Sequence, residues 1–390
     1  MKQRFYSLDV FRGATVAFMI LVNNPGSWEH IFSPLEHAPW NGCTPTDMVF
    51  PFFLFAVGNA MAFSFSSLQN SVDAIFLKKV LKRSALIFFI GLFLNWFPFV
   101  KWNEDHLIFK YWVSHENPEI GIRILGVLQR IALCYLFASL IIHYFKIRGA
   151  IWFSIILLLG YWSLCFFLGS SPDPYSMQNY FGLNVDKAIL GIPHMYKGEG
   201  VPFDPEGIAS TMAAIVQVIY GYLVGNYILK KGMNYETLAN LFFIGCIFLF
   251  AGYCWDLCFP LNKKIWTSSF TIFTSGMATV SLSVFIYLIE FKNFRGAWSR
   301  FLNAFGKNPL FVFILSGLLP RSLALIRWPN GLNEKGQIKY QSPLPWLYEH
   351  VCMPISNNLK IGSLLYAVIT VLFFWLICYW LDKKKIYVKV

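Results

Sequence analysis

The fold is decided by residues 34–58, PLEHAPWNGCTPTDMVFPFFLFAVG. A polar segment that contains His37, Trp40 and Asp47 leads directly into an aromatic run long enough to enter a membrane. Ionisable groups at membrane depth are costly, and where they occur they usually serve function. The stretch therefore predicts a proton-handling side chain at the rim of a lipid-embedded pocket.

The composition of the chain agrees with a membrane protein. Of the 390 residues, 56% are hydrophobic and 13% are charged, whereas soluble domains carry about 25% charged residues. The net charge of +12 does not indicate nucleic-acid binding, because lysine and arginine gather in short loops between apolar runs. Since Asp9 and Arg12 lie within the first apolar run, we expect no cleavable signal peptide. The apolar runs recur without a long polar interruption, so we predict one transmembrane domain over residues 1–390.

Runs of about 20 apolar residues predict membrane-spanning helices. Ten such runs lie near 8–24, 47–66, 84–100, 122–143, 150–168, 207–229, 237–259, 267–289, 301–319 and 361–381. Basic residues outnumber acidic ones on the side of the N-terminus, which predicts cytoplasmic N- and C-termini. We therefore expect an all-α polytopic fold of about ten transmembrane helices, with His37 on the outer side.

Three residues near the outer side are candidates for catalysis. His37 can act as a base, because imidazole exchanges protons near neutral pH, although a lone loop histidine is often only structural. Asp47 lies ten residues further on and can orient the imidazole or hold a positive charge. Asn23 ends the first span, and its amide can donate to a developing oxyanion or simply cap the helix.

Arginines in two spans are candidates for binding an anion. Asp9 and Arg12 are one helical turn apart, which favours a structural ion pair that can also contact a ligand. Arg123 and Arg130 are seven residues apart, so a helix over 122–143 places them on one face. Arg130, next to Gln129, then lies deep in the membrane, and either a phosphate or a salt bridge would satisfy it.

A further basic segment lies at the start of the eighth span. Lys263 and Lys264 precede Trp266 and Ser268, and positive charge with hydroxyl groups at a helix start suits an anion. An interfacial belt of lysine and tryptophan explains the same residues. The sequence FDPEG at 203–207 predicts a helix start, with an aspartate N-cap followed by proline.

The sequence gives no sign of a metal site. The eight cysteines are scattered without a CxxC pair, and His30 and His37 lie in a proline-containing loop without helical ligand spacing.

Several long blocks, taken in order, resemble the heparan-alpha-glucosaminide N-acetyltransferase family of membrane acyltransferases. They are SLDVFRG (7–13), VNNPGSW (22–28), HAPWNGCTPTDMVFPFFLF (37–55), IRILGVLQRIALCY (122–135), FDPEGIAS (203–210), PLNKKIWTSSF (260–270) and LDKKKIYVKV (381–390). The chain looks like a bacterial member. We expect it to lack the extra lumenal region and helix of the lysosomal enzymes.

The resemblance implies transfer of acetyl from cytoplasmic acetyl-CoA, as co-substrate, to a glucosamine-type amine across the membrane, without a metal. It places the active histidine at His37 and its partner asparagine at Asn23, while Asp47 matches a further motif position. The candidates for contact with acetyl-CoA are Arg12, Arg123, Gln129, Arg130, Lys264, Trp266 and Ser268. The location it implies is the bacterial inner membrane, in contact with lipid and with an amino-sugar or glycan acceptor. A homodimer stays open, as does the choice between a ping-pong and a ternary-complex mechanism.

Two other classes of protein compete with an enzyme. A solute transporter for an anionic or sugar substrate also explains the spans and the buried charges, although no inverted repeat is visible. A structural membrane protein explains the spans but not the clustered His, Asp, Asn and Trp. The enzyme reading predicts that His37 lies at the outer end of a cavity that leads toward the inner leaflet.

Overall fold

A computed structural model describes residues 5–65, 73–332 and 336–388, and within these ranges the fold is helical apart from two short hairpins. The helices are α1 (Tyr6–Asn23), α2 (Val49–Phe65), α3 (Asp73–Trp96), α4 (Val127–Leu168), α5 (Phe181–Ile189), α6 (Thr211–Lys231), α7 (Tyr235–Asp256), α8 (Ser268–Ile286), α9 (Ala297–Lys307), α10 (Pro309–Leu323), α11 (Pro343–Leu347) and α12 (Leu359–Lys383). The antiparallel hairpins are β1 (Val100–Asn103) with β2 (His106–Phe109), and β3 (Trp328–Leu332) with β4 (Ile338–Gln341).

Helix α4 reverses direction in its middle. Lys146 has φ 56° and ψ −166°, which breaks the helix into two halves. Arg130 in the first half lies over the ring of Trp266, and Tyr161 in the second half donates a hydrogen bond to the carbonyl of Ile265. In a straight helix positions 130 and 161 would lie about 46 Å apart. The two halves therefore run antiparallel, in agreement with the two separate spans predicted over 122–143 and 150–168.

Among the described residues, six helices are long and apolar enough to cross a membrane, or seven if the bent pair α9 and α10 is one span. That pair bends by 79° at Asn308, where the sequence interrupts the predicted ninth span. Helix α1 carries Asp9 and Arg12, and α3 carries several basic residues, which lowers their hydropathy. An integral membrane protein is thus supported, whereas ten spans and cytoplasmic termini stay predictions.

Two predicted helix starts are wrong. Helix α4 begins at Val127, because the amide of Asn95 binds the carbonyls of Arg123 and Leu125 at 2.9 and 3.1 Å and holds that segment extended. Arg123 and Arg130 therefore do not share a helix face. Residues 203–207 form a turn and α6 begins only at Thr211. The side chain of Asp204 accepts from the backbone of this turn and from Arg123, so it does not cap a helix.

Close backbone contact fixes α1 against α9. A Cβ atom on Gly13 would lie 1.8 Å from the carbonyl oxygen of Leu302, and one on Gly306 would lie 1.9 Å from that of Asp9. Only residues without a side chain permit this approach. The contact sets the position of α1, which carries Arg12 toward one end and Asn23 at the other.

Candidate active site

His37 and Asp47 form a hydrogen-bonded pair at the entry to α2. The two atoms involved, Nδ1 of His37 and Oδ1 of Asp47, lie 2.7 Å apart. The other carboxylate oxygen accepts the backbone N–H groups of Ala38 and Thr44 at 3.0 and 3.1 Å. Because an ionised carboxylate only accepts, it holds the imidazole in the tautomer that carries its proton on Nδ1. The predicted role of Asp47 in orienting His37 therefore has the required geometry, and Nε2 is left able to accept a proton.

A lysine completes this pair. The Nζ atom of Lys263 lies 3.1 Å from Nδ1 and 3.4 Å from Nε2 of His37, and 3.5 Å from Oδ1 of Asp47. Burial lowers the pKa of Lys263, although Asp47 and Glu206 oppose this effect. The ammonium group thus lies against both members of the pair and helps to position them. The sequence predicts Lys263 only as part of a basic segment that suits an anion, with the adjacent Lys264 as the coenzyme contact, and does not predict its contact with His37.

The loop before α8 is bound to the loop that carries His37. The backbone N–H of Gly42 donates to the carbonyl of Leu261 at 2.7 Å, and the amide of Asn262 donates to Asn41 at 3.2 Å. Gly42 has φ +114°, which favours glycine at this position. These contacts join two segments that are distant in sequence and bring Lys263 over the imidazole.

The imidazole of His37 is more exposed to solvent than we expect for a side chain at the rim of a pocket. The side chain of His37 is 41% exposed, whereas that of Asp47 is 1% exposed. His37 is not among the residues that line the cavities described below. A position at the rim of a pocket is therefore not confirmed.

Three cavities follow one another along α1, α3, α4 and α10. The inner cavity, of about 120 Å³, is lined by Arg12, Arg83 and Leu128 among others. The central cavity, of about 240 Å³, shares Leu128 with it. The outer cavity, of about 550 Å³, borders hairpin β1–β2 and shares Asn95 and Arg123 with the central one. Their shared lining residues make the three cavities neighbours, and we refer to the series as the path.

Four predicted residues line this path. Arg12 lies in the inner cavity, and Asn23, Arg123 and Gln129 lie in the central one. The predicted ion pair within α1 is present, with Nη1 of Arg12 3.5 Å from the carboxylate of Asp9.

Sequence reasoning missed several further polar residues of the path, among them Asn95, Arg83 and Arg321. Each interrupts or borders an apolar run, which was the available signal.

Arg123 is held by two carboxylates. Its guanidinium binds Asp204 through Nε at 2.9 Å and also contacts Glu206. Burial opposes the charge, but Glu206 and Asp204 outweigh it and raise the pKa of Arg123. By contrast, Arg321 forms no ion pair within the described ranges and binds the carbonyl of Leu94. Arg321 is therefore the better placed of the two to meet an anion in the central cavity.

The other predicted residues lie away from the path. The buried Arg130 donates to the carbonyl of Gly207 at 3.0 Å and to the hydroxyl of Ser210, with its guanidinium carbon 5.2 Å from the ring centre of Trp266. Ser268 donates to the carbonyl of Leu158 at 2.8 Å. Their contacts are structural, and a role in coenzyme binding stays a prediction.

Lys264 is likewise engaged outside the cavities. It pairs with Glu199 and lies 6.0 Å from the ring centre of Trp40. Its role in coenzyme binding is untested.

No group of three or more His, Cys, Asp or Glu side chains that could hold a metal occurs in the part of the chain that the structure describes.

Residues 4–183 match the family described as heparan-alpha-glucosaminide N-acetyltransferase, catalytic. Over these residues the chain is similar to this family. Two curated proteins named heparan-alpha-glucosaminide N-acetyltransferase are similar to it over 76% of its length: the human protein at 26% identity and the mouse protein at 25%. The resemblance predicted from the sequence blocks is confirmed.

The family match and the site overlap only in part. Asn23, His37, Asp47 and Arg123 lie within the matched residues 4–183, whereas Lys263 lies beyond them. The chain spans about half the length of the curated relatives it matches. The comparisons therefore show that the chain is similar to the heparan-alpha-glucosaminide N-acetyltransferase family, but they do not by themselves give the reaction of this chain.

Proposed function

We propose that this protein is a membrane acetyltransferase that moves acetyl from cytoplasmic acetyl-CoA to the amine of a glucosamine-type sugar on the outer side. The observation that carries the proposal is the bond between His37 and the buried Asp47, which leaves Nε2 available as a base. Both relatives are named for N-acetyl transfer to a glucosaminide, which gives the class of acceptor. An amine of this kind must lose a proton as it attacks, and His37 is suited to take it.

The proposed donor lies along the three cavities. Its phosphates contact Arg12 and Arg83, which line the inner cavity. Charge-assisted hydrogen bonds from guanidinium groups suit phosphate oxygens. The flexible, largely neutral arm of the coenzyme then runs past Leu128 into the central cavity, where Asn23 and Gln129 provide polar contacts.

Transfer takes place at the outer end of α1. The segment that carries Asp47 leads into Val49, which packs in the same apolar cluster as Ile20 and Val22 of α1. Asn23 and His37 thus belong to neighbouring segments. The amine nitrogen attacks the thioester carbonyl, Nε2 of His37 takes the amine proton, and the amide of Asn23 donates to the oxyanion. The thiolate of CoA leaves as the carbonyl re-forms, and the proton passes from the imidazole to it.

The proposal includes a topology of ten spans with both termini in the cytoplasm. The reversal at Lys146 supplies two crossings from α4, and the bent pair α9–α10 supplies one. Helices α1 and α3 complete the set, with their charged residues toward protein or the cytoplasm. The proposed location is a bacterial inner membrane.

Sealed proteoliposomes test the reaction and its direction together. Radiolabelled acetyl-CoA is supplied on the face that carries the termini, identified by protease access to a terminal tag, and glucosamine is supplied on the other. Acetylated sugar should form in the sugar compartment, with free CoA left behind. Appearance of unmodified sugar on the opposite side without any acetylated product would indicate a transporter and would contradict the proposal.

A further inference from the structure

A fourth cavity, of about 520 Å³, lies at the reversal of α4. It shares no lining residue with the three cavities assigned to acetyl-CoA. Its apolar and aromatic lining residues include Phe65, Phe76, Ile142, Tyr222 and Phe145, its lysine and arginine residues are Lys146, Arg148 and Lys230, and His143 and Asn226 also line it. We call it the reversal cavity.

The three basic residues of the reversal cavity lack acidic partners. Among the described residues, none of Lys146, Arg148 and Lys230 forms an ion pair with a carboxylate. The carboxylate of Asp73 binds Nε2 of His143, which also lines the cavity, at 2.8 Å and pairs with none of the three. The cavity therefore presents uncompensated positive charge.

The backbone adds to this charge. The second half of α4 begins just after Lys146, and Ile147 and Arg148 both line the cavity. The first N–H groups of a helix have no partner within the helix and attract anions. Lys146 has φ 56°, a left-handed conformation that is costly for a residue with a side chain. This conformation places a helix start and three cations around one opening.

The surface next to the opening is aromatic. Tyr144, Phe145 and Trp152 are 50%, 52% and 66% exposed. Exposed aromatic side chains beside basic ones are typical of the level where lipid headgroups meet the hydrocarbon. A cavity at that level with apolar and basic lining residues matches an amphiphile that carries a phosphate.

We propose that the reversal cavity binds the phosphate group of an anionic phospholipid from the inner leaflet. The phosphate lies among Lys146, Arg148 and Lys230, and the apolar part of the lipid lies on Phe65 and Phe76. This site is separate from the proposed acetyl transfer and does not depend on it. It depends on the predicted cytoplasmic position of the α4 reversal.

Native mass spectrometry tests the site with defined lipids. The full chain in neutral detergent is titrated with phosphatidylglycerol, with phosphatidylcholine and, separately, with ADP as a soluble phosphate. The double variant Arg148→Gln, Lys230→Gln should bind phosphatidylglycerol about 30-fold more weakly, because each basic residue near an anionic surface contributes about fivefold. The charge-retaining variant Arg148→Lys, Lys230→Arg should bind nearly as the unchanged protein.

A matched control removes two cations elsewhere on the same predicted side. Lys383 and Lys384, at the end of α12, are exposed and do not line the reversal cavity. The variant Lys383→Gln, Lys384→Gln should keep its affinity for phosphatidylglycerol. Equal losses in the two double variants, or equal binding of phosphatidylglycerol and phosphatidylcholine, would overturn the proposal. If the cavity variant binds ADP more weakly and the unchanged protein shows no preference between the two lipids, the cavity binds a soluble phosphate. That result would overturn the proposal of a lipid ligand.

Discussion

Nδ1 of His37 lies 2.7 Å from Oδ1 of Asp47, and this bond joins an exposed imidazole to a buried carboxylate. The carboxylate is fixed by the backbone N–H groups of Ala38 and Thr44. It can therefore hold the ring in one orientation and stabilise the imidazolium that forms when a proton is taken up. The arrangement suits a base that must return to its neutral state after each turnover.

Replacement of His37 by alanine should remove acetyl transfer while CoA binding is retained. General-base catalysis contributes about 10²- to 10⁴-fold, so kcat should fall by that factor. Product formation from labelled acetyl-CoA and calorimetric titration with CoA measure the two quantities. His30→Ala is the control, because His30 lies in the same loop but borders a different, small cavity. Normal turnover by His37→Ala would exclude the assignment.

Replacement of Lys263 by methionine should lower kcat. The Nζ atom of Lys263 lies 3.1 Å from Nδ1 of His37 and 3.5 Å from Oδ1 of Asp47, so its removal takes away a contact that positions both side chains. Initial rates at saturating substrate measure the effect. Lys264→Met is the control, since Lys264 pairs with Glu199 and does not contact His37. An unchanged kcat would show that Lys263 does not act on the pair.

Replacement of Arg123 by glutamine should destabilise the protein more than it weakens acetyl-CoA binding. It leaves Asp204, whose side chain is 0% exposed, without its ionic partner. Removing one partner of a buried ion pair lowers the free energy of unfolding by about 3–5 kcal/mol. Because Arg123 is partly exposed, we expect a loss of roughly 2–3 kcal/mol. Thermal unfolding measures the effect. Adding Asp204→Asn should restore part of the loss; if the double variant were less stable than the single one, the pair would not be the cause.

The sequence predicted the parts of the site that are local in the chain. His37 and Asp47 are close in sequence, so a single loop brings them together, and Asn23 lies at the predicted end of α1. Lys263 could not be assigned, because its contact with His37 depends on how two distant loops bind one another. The composition indicates a basic segment at Lys263 and Lys264, but it does not reveal which of the two adjacent side chains points at the histidine.

The predicted helix starts are wrong where side chains outside an apolar run determine the residue at which the helix begins. The apolar pattern over 122–143 predicts a continuous helix, yet Asn95 from another helix holds residues 123–125 extended. Similarly, Asp204 looked like a helix cap, but its pairing with Arg123 belongs to a turn. Periodicity finds the apolar segments, whereas contacts between segments set their ends.

Replacement of Asp186 by asparagine should increase the free energy of unfolding at neutral pH. Burial raises the pKa of Asp186 from 3.8 to about 7. The folded protein thus holds this proton more tightly than the unfolded chain, so stability is greatest below pH 4 and falls as pH rises toward 7. Asp186→Asn should gain roughly 2–4 kcal/mol over the unchanged protein at pH 8, and little at pH 4.

Unfolding midpoints at the two pH values measure this difference for Asp186→Asn. Asparagine keeps an oxygen for the backbone N–H of Ile208, which Asp186 binds at 2.8 Å, so the main contact is preserved. Asp173→Asn, at an exposed loop position, is the control and should leave the pH dependence unchanged. The same gain at pH 4 and pH 8 would mean that ionisation of Asp186 is not responsible.

Replacement of Gly306 by alanine should weaken both the fold and the proposed donor site. The added methyl group would lie 1.9 Å from the carbonyl oxygen of Asp9, so α1 and α9 must move apart. Overpacking of this kind costs about 1–3 kcal/mol. The carbonyl of Gly306 also accepts from Nη1 of Arg12 at 3.1 Å, so the movement displaces a residue of the inner cavity and should raise KM for acetyl-CoA.

Gly160→Ala separates this packing effect from helix propensity. A methyl group at position 160 meets no atom within 4 Å, so alanine there should leave KM unchanged and stabilise α4 by about 0.5–1 kcal/mol. Thermal unfolding should show a lower stability for Gly306→Ala and a higher stability for Gly160→Ala. Initial rates at varied acetyl-CoA should show a raised KM for Gly306→Ala only. An unchanged KM in a destabilised Gly306→Ala protein would remove Arg12 from the donor site and leave the contact between α1 and α9 as packing alone.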